Sequence, residues 1–160
     1  MTKQNLSLLV LFIIIATFFS SCKNNKKENS KVTVSSWIGN YVTQEYHKRQ
    51  DGYDWTVVSI EALTDSTCWI TIQSRSDIKK PTCSFESEAK ILSNEKLMAT
   101  YENKEILFHK QNNEITISTI KEEDKNLLYY FCSGGASISG KYIYLNEPLD
   151  KEQLKQKDTQ

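Results

Sequence analysis

Apolar and polar residues alternate along much of the chain between residues 37 and 145, and a period of two is typical of β-strands that bury one face. In the segment 83–91, small or apolar residues alternate with polar or charged ones. A helix would spread those charges around its circumference, so the pattern predicts a strand. The segment 67–73 alternates in the same way, with Cys68 on its apolar face.

The same period predicts eight or nine short strands. Their approximate ranges are 37–42, 53–63, 67–73, 83–91, 97–101, 105–110, 114–120, 127–132 and 140–145. In the second of these strands, Trp55 and Val57 fall on one face, whereas Val58 and Ile60 fall on the other. The polar connections are mostly hairpin-sized, and Ser133-Gly134-Gly135-Ala136 is a turn signal.

Short strands joined in chain order predict an all-β antiparallel meander. A single open sheet would expose one apolar face and two edges, so we expect a closed or nearly closed, lipocalin-like barrel. The inward positions differ in size, from Ala89 to Phe85, and are compatible with a filled interior or with a small pocket.

The first 22 residues have a different pattern, with Lys3 near the start, an apolar run from Leu6 to Phe19, and Ser20-Ser21-Cys22 after it. The run is shorter than the ~20 residues that a membrane-spanning helix needs, which favours a cleaved secretory signal. With its Cys at the cut site, the stretch resembles a bacterial lipoprotein signal, which implies that Cys22 is lipidated. In that class of signal, Lys23 after the Cys implies the outer membrane.

These boundaries predict a lipoprotein signal peptide over 1–21, a flexible polar tether over 22–34, a barrel-like domain over 35–150 and a polar tail over 151–160. The domain, of roughly 120 residues, has the usual size for one hydrophobic core. The tether lacks large apolar side chains and cannot offset its ordering entropy by burial. We expect a lipid-anchored protein of the cell envelope that faces the periplasm.

Charge excludes one class of partner. The chain has 20 Lys and Arg against 20 Asp and Glu, and the two signs are interspersed. Without a basic stripe, nothing in the sequence favours binding of nucleic acid.

The chain has four cysteines, and lipidation of Cys22 would leave Cys68, Cys83 and Cys132 in an oxidising compartment. An odd number allows at most one intramolecular disulfide. Cys68 and Cys83 are the nearest pair and flank one loop, while Cys83 with Cys132 is the rival pairing. Three buried, unreactive thiols are the third possibility.

No arrangement that carries catalysis is visible. The only histidines, His47 and His109, are far apart in sequence, and the acidic run from Lys121 to Asp124 lacks the alternating ligands of a calcium loop. Glu86 and Glu88 lie on the polar face of a strand, where water surrounds them. We therefore expect no metal, no cofactor and no enzymatic activity.

Aromatic residues are the remaining candidates for binding, because such side chains frequently anchor ligands and partner proteins. They are equally typical of a small β core. The candidate contacts are Trp37, Tyr41, Trp55, Trp69, Tyr142 and Tyr144, and Tyr129 and Tyr130 belong to the same set.

The Trp-x-Gly-x-Tyr opening at Trp37, Gly39 and Tyr41 resembles small β-rich lipoproteins of Gram-negative bacteria. The Cys132-Ser133-Gly134-Gly135-Ala136 turn and the Asn146-Glu147-Pro148-Leu149-Asp150 ending add to the resemblance. That family has no established activity, so the resemblance implies location and fold only.

Two functional hypotheses follow. The first is a non-enzymatic binding module that holds a small apolar ligand or an envelope protein, the latter in the manner of an inhibitor. The second is a structural or interaction component of the envelope with a filled core.

Overall fold

The computed structural model describes residues 33–77 and 82–155. They form a closed barrel of eight antiparallel strands in the order β1-β2-β3-β4-β5-β6-β7-β8. The strands are β1 (Gly39–Val42), β2 (Thr56–Ala62), β3 (Thr67–Ser74), β4 (Ser84–Ser93), β5 (Lys96–Tyr101), β6 (Lys104–Gln111), β7 (Glu114–Thr119) and β8 (Gly140–Tyr144). The predicted all-β closed barrel in meander order is confirmed, with eight strands. The signal peptide, Cys22 and most of the tether lie outside the described residues.

Alternation determines which side chains point inward. In β3 the residues Cys68, Ile70 and Ile72 are fully buried, and in β4 Phe85 and Ala89 are buried between exposed glutamates. The inward residues of all strands form one core whose largest fully buried members include Trp37, Tyr41, Ile60, Ile70, Ile72, Leu97, Ile106, Phe108, Ile115 and Tyr142. The barrel interior is therefore occupied by large side chains.

One end of the barrel, here called the base, contains the turn between β6 and β7 and the place where the described chain begins. A short 3₁₀ helix, Val34–Ser36, precedes Trp37, whose side chain is fully buried. The Trp37 indole N–H donates to the Ser93 carbonyl at the end of β4 (3.3 Å). The predicted first strand thus begins at Gly39, and Trp37 fills the base instead.

The opposite end, here called the lid, is covered by the segment between β7 and β8. It contains a 3₁₀ turn, Glu122–Asp124, and a short helix, α1 (Leu127–Tyr130). The prediction of a strand over 127–132 is wrong, because Leu127 and Leu128 are adjacent apolar residues that both pack inward. Two neighbours on a strand would point to opposite faces, whereas one turn of helix can bury both.

A disulfide joins Cys83 to Cys132, so the nearest-neighbour pairing of Cys68 with Cys83 is not the one formed. Cys68 lies opposite Ala89 in the ladder between β3 and β4, six residues along from Cys83. That offset is about 20 Å at ~3.3 Å per residue, far beyond the ~7 Å limit between the Cα atoms of a disulfide. Cys83 and Cys132 instead form a backbone bridge, with Cα atoms 4.1 Å apart.

A second apolar cluster lies outside the barrel, on the outer face of β1 and β2. It contains Val42, Tyr46, Trp55, Val57 and Leu145, and Leu149 and Leu154 pack against it. The predicted division of β2 into a face with Trp55 and a face with Val58 is confirmed.

The chain reaches this outer cluster through two 3₁₀ segments, Gln44–Asp51 and Lys151–Leu154. The Trp55 indole N–H donates to the Gln153 side-chain oxygen (2.9 Å), and the Ser76 amide donates to the Gln153 carbonyl (2.8 Å). Lys151–Leu154 therefore belongs to the folded domain, and the predicted polar tail does not begin at residue 151.

The guanidinium group of Arg75 links the loop after β3 to the 3₁₀ segment Gln44–Asp51. This group is paired with Asp77 (2.5 and 3.0 Å) and donates to the carbonyl of Arg49 (2.7 Å). The pairing with Asp77 raises the pKa of Arg75, which keeps this buried side chain charged.

Gly39 is the residue at the start of β1 that allows the barrel to close. Its φ is +137°, and a Cβ atom added there would lie 2.6 Å from Cε2 of Tyr144 on β8. Tyr144 faces Tyr41 in the ladder between β1 and β8, and their rings pack edge-to-face at 5.2 Å. Close packing at this seam therefore requires a residue without a side chain.

We predict that Gly39→Ala lowers the free energy of unfolding by about 2–4 kcal/mol, from backbone strain plus steric overlap. Urea unfolding monitored by tryptophan fluorescence measures the change. Gly134→Ala is the matched control, because φ is +65° there but no atom lies within 4 Å of the added Cβ. It should cost only about 1 kcal/mol. Equal losses in the two variants would show that contact with Tyr144 is not the cause.

Removal of the disulfide should destabilise the lid. Cys83 and Cys132 are separated by 49 residues, and the chain-entropy model gives about 4 kcal/mol for a loop of that size. We expect the double variant Cys83→Ser/Cys132→Ser to unfold at a lower urea concentration, whereas Cys68→Ala should keep the bridge. Peptide mapping without reductant should recover residues 83 and 132 in one linked species; a bridge to Cys68 would contradict the structure.

Candidate functional site

Four of the aromatic candidates are core residues. Trp37, Tyr41, Trp55 and Tyr142 are at most 2% exposed, so they do not form an open binding face. Tyr142 donates its hydroxyl to the Ile138 carbonyl (2.8 Å) and fills the interior below the lid. The structure therefore supports the alternative that these four residues are part of the core.

The structure brings three of the candidates together and leaves two apart. Trp37, Tyr41 and Tyr144 meet at the base, where the Tyr41 hydroxyl donates to the Trp37 carbonyl (3.2 Å). Trp55 instead packs edge-to-face on Tyr46 in the outer cluster (4.7 Å between ring centroids). Trp69 lies alone on the outer face of β3 and is 37% exposed.

The most exposed aromatic residues lie on the lid. Tyr129 and Tyr130 of α1 are 52% and 68% exposed, although Leu127 and Leu128 of the same helix are buried. Together with Tyr101 at the end of β5 and Leu127, they form what we call the lid surface (Tyr101, Leu127, Tyr129 and Tyr130).

Three members of the lid surface, Tyr101, Leu127 and Tyr130, line a cleft of about 250 Å³. Tyr101 packs against Tyr130 with ring centroids 5.8 Å apart, and Phe131 lies edge-to-face beneath both, at 4.9 and 5.5 Å. A hydrogen bond with Tyr130 is the main reason why the pKa of Tyr101 is raised. Glu102, Lys104 and Asn126 complete the wall of the cleft as polar neighbours.

The lid is fixed to the barrel on both sides. On one side are the Cys83–Cys132 disulfide, the Ser84 amide donating to the Phe131 carbonyl (2.9 Å) and the Ser133 amide donating to the Thr82 carbonyl (2.7 Å). On the other, the Tyr142 hydroxyl of β8 donates to the Ile138 carbonyl of the lid (2.8 Å). The exposed tyrosines are therefore presented on a pre-formed support, which lowers the entropy that a partner must remove.

Three buried side chains of the described residues, Tyr41, Cys68 and Tyr142, have raised pKa values. Burial raises the pKa of Tyr41 to about 12 and also raises that of Tyr142, so both phenols are neutral at physiological pH. Burial, and to a smaller extent Glu88, raises the pKa of Cys68 to about 11. A thiol in that state is protonated and unreactive.

Two other features, a cluster of metal ligands and a membrane-spanning helix, are not found in the described residues. Within residues 33–77 and 82–155, no three His, Cys, Asp or Glu side chains are grouped so that they could hold a metal ion. In the same part of the chain, no helix is both long and apolar enough to cross a membrane.

Sequence reasoning missed Tyr101 and misplaced the two lid tyrosines. Tyr129 and Tyr130 were recognised as candidate aromatics, but the strand prediction put them on opposite faces. The available signal was the run Leu127-Leu128-Tyr129-Tyr130, in which two apolar neighbours are followed by two amphipathic ones. Two adjacent apolar residues followed by two amphipathic ones fit one turn of helix better than a strand, in which neighbours point to opposite faces.

The fold defines the class of protein as a closed eight-stranded meander barrel. No protein-family model matches the chain, and comparison with curated proteins and with solved structures gives no match.

The raised pKa of the buried Cys68 thiol can be tested through the pH dependence of stability. The pKa of Cys68 is about 11 in the folded protein and roughly 8.5 for an unfolded cysteine. The stabilising contribution of the protonated thiol is therefore complete below the unfolded value and is lost as pH rises through the folded one. We predict that this group alone lowers the free energy of unfolding by on the order of 2 kcal/mol between pH 7 and pH 10.

Urea unfolding across this pH range should show the fall in the native protein and a smaller fall in Cys68→Ala. Comparison of the two cancels the contributions of Lys110 and the buried tyrosines. If the free energy of unfolding fell equally with pH in the two proteins, the pKa of Cys68 would not be raised by burial.

Proposed function

We propose that the protein is a non-enzymatic lipoprotein of the outer membrane that binds a partner protein through the lid surface, in the manner of an inhibitor. The observation that carries the proposal is the exposure of Tyr129 and Tyr130 on a rigidly fixed lid, above a barrel filled with side chains. Exposed aromatic residues that are held in place are the usual anchors of protein interfaces.

The filled interior supports one form of the binding hypothesis, a protein partner, over the other, a small ligand inside the barrel. A small apolar ligand in the barrel would have to displace large residues such as Phe108 and Tyr142, both nearly inaccessible to solvent. Displacing them would forfeit close packing, which costs several kcal/mol for each large side chain. We therefore favour a protein partner over a ligand inside the barrel.

The polarity of the barrel supports the same assignment. The described chain begins at the base, and α1 lies at the opposite end. If Cys22 carries lipid, the lipid is attached on the N-terminal side of residue 33, which lies at the base and outside the lid surface. The alternative, a structural component of the envelope, is compatible with the same filled core but has no need of exposed tyrosines.

The test is site-specific photo-crosslinking in cells. A photoreactive phenylalanine derivative at position 130 should give one discrete adduct with another protein. The same probe at position 63 should give none, because Leu63 is similarly exposed (51%) but lies at the base. Equal adducts at both positions would contradict a specific partner surface.

Truncation should then weaken the complex. We predict that Tyr130→Ser reduces recovery of the partner identified by the probe at least tenfold in affinity purification without crosslinking, as expected for a residue that contributes about 2 kcal/mol to an interface. Leu63→Ser is the matched control and should leave recovery unchanged. If native mass spectrometry of the purified chain finds a co-purified small molecule and no protein adduct forms, the ligand hypothesis replaces this one.

A further inference from the structure

A polar cleft at the base contains an unpaired cation. The cleft has a volume of about 170 Å³, and its lining residues are Ser35, Ser36, Ile38, Tyr41, Lys110, Asn113 and Tyr144. No carboxylate is among them. At ~30 Å³ for each water, the space corresponds to about five water molecules, enough for one small polyatomic ion.

Lys110 breaks the pattern of its strand. In β6 the inward residues are Ile106 and Phe108, and Lys110 takes the next inward position, where alternation would place an apolar residue. Its ammonium lies 5.4 Å from the centroid of the Trp37 ring and 5.9 Å from that of Tyr41. It also donates to the Ser36 carbonyl.

These contacts hold Lys110 in place without neutralising it. Among the described residues, no carboxylate oxygen lies within 4.0 Å of its ammonium, and burial alone lowers the pKa of the group. A partly buried charge without a counter-ion is unfavourable unless something else supplies the opposite charge. Of its three N–H donors, one is used by the Ser36 carbonyl, and the other two have no hydrogen-bond partner among the described residues.

Two further donors lie beside it. In the described part of the chain, neither the Tyr144 hydroxyl nor the Asn113 side-chain amide has a hydrogen-bond partner, although both line the cleft. Their positions are fixed, because the Tyr144 amide donates to the Asn113 carbonyl (2.7 Å) and the Tyr144 ring packs over Gly39.

We propose that this cleft is a binding site for a small oxyanion of the phosphate class, held by Lys110 with Tyr144 and Asn113 as additional donors. Such an anion would supply the missing negative charge and would accept charge-assisted hydrogen bonds. The site is independent of the proposed partner surface, which lies at the other end of the barrel.

The same chemistry is available from a free phosphate or from the phosphate of a lipid headgroup. Position favours neither by itself, although a domain tethered at its base would hold this cleft near the membrane surface. The two sources are therefore separate arms of one experiment.

The first arm uses inorganic phosphate and the full chain carrying Cys22→Ser, which prevents lipidation. Titration followed by amide chemical shifts in NMR should produce saturable changes at Ser35, Ser36 and Asn113, and sodium chloride at equal ionic strength should not. Lys110→Met should abolish the changes. Tyr144→Phe keeps the ring that packs on Gly39 and should weaken binding roughly tenfold, as for loss of one hydrogen bond to a charged group.

Lys141→Met is the matched control. Lys141 is an exposed lysine of β8 that is paired with Glu114 (3.1 Å) and does not line the cleft. It should leave phosphate binding unchanged. Absence of saturable shifts in the parent chain, or equal loss in Lys110→Met and Lys141→Met, would overturn the proposal. If Lys110→Met does not fold, Tyr144→Phe decides, and unchanged affinity in that variant counts against the site.

The second arm measures co-sedimentation of the Cys22→Ser chain with vesicles of phosphatidylglycerol or of phosphatidylcholine. Binding that depends on Lys110 and is displaced by free phosphate would identify the headgroup as the source. Phosphate binding without vesicle binding would identify a soluble anion. Vesicle binding that persists in Lys110→Met would arise elsewhere on the chain and would contradict recognition of a headgroup by this cleft.

Discussion

Closure of the barrel at the seam between β1 and β8 is the interaction on which the rest of the structure depends. In the described chain, the ladder between them consists of two residue pairs, Tyr41 with Tyr144 and Val42 with Ile143. So short a ladder contributes few hydrogen bonds, and side chains on both faces must support it. Inside, the Tyr41 and Tyr144 rings pack edge-to-face; outside, Val42 belongs to the second apolar cluster.

The closed seam explains why both ends of the molecule are so different. At the base are the buried indole of Trp37 and the ammonium of Lys110, which has no carboxylate partner among the described residues. At the lid, a disulfide and a helical turn cover the barrel and present tyrosines to solvent. Large side chains fill the interior, and the two clefts described above lie at these two ends.

The sequence predicted the features that arise from local alternation. In β3, β4 and the two faces of β2, each inward residue has neighbours of the opposite character, and a period of two is enough to place them. The closed barrel followed from the same pattern, because an open sheet would expose its apolar face and its edges. Of the nine strand ranges predicted, eight are strands, and the ninth, 127–132, contains the helix α1.

What the sequence did not predict depends on contacts between distant segments. The partner of Cys83 follows from the ladder register that places Cys68 opposite Ala89, and register is not visible in cysteine spacing. The burial of Gln153 results from a hydrogen bond to Trp55, almost a hundred positions earlier. The lid surface was missed for the same reason, since Tyr101 and Tyr130 meet only when β5 and α1 are packed.

The contacts made by β8 and Gln153 also bear on the order in which the parts of the domain can fold. β1 pairs with β8, and Trp55 of the outer cluster hydrogen-bonds to Gln153 near the end of the described chain. Pairings between residues so far apart in sequence are slow to form, because the loop entropy is lost before the contact is gained. A chain that emerges from its N-terminus would therefore carry its early strands unsealed until the segment that contains β8 and Gln153 was available. Residue 153, in a segment with little apparent importance in the sequence, thus sets the earliest moment at which the domain can become complete.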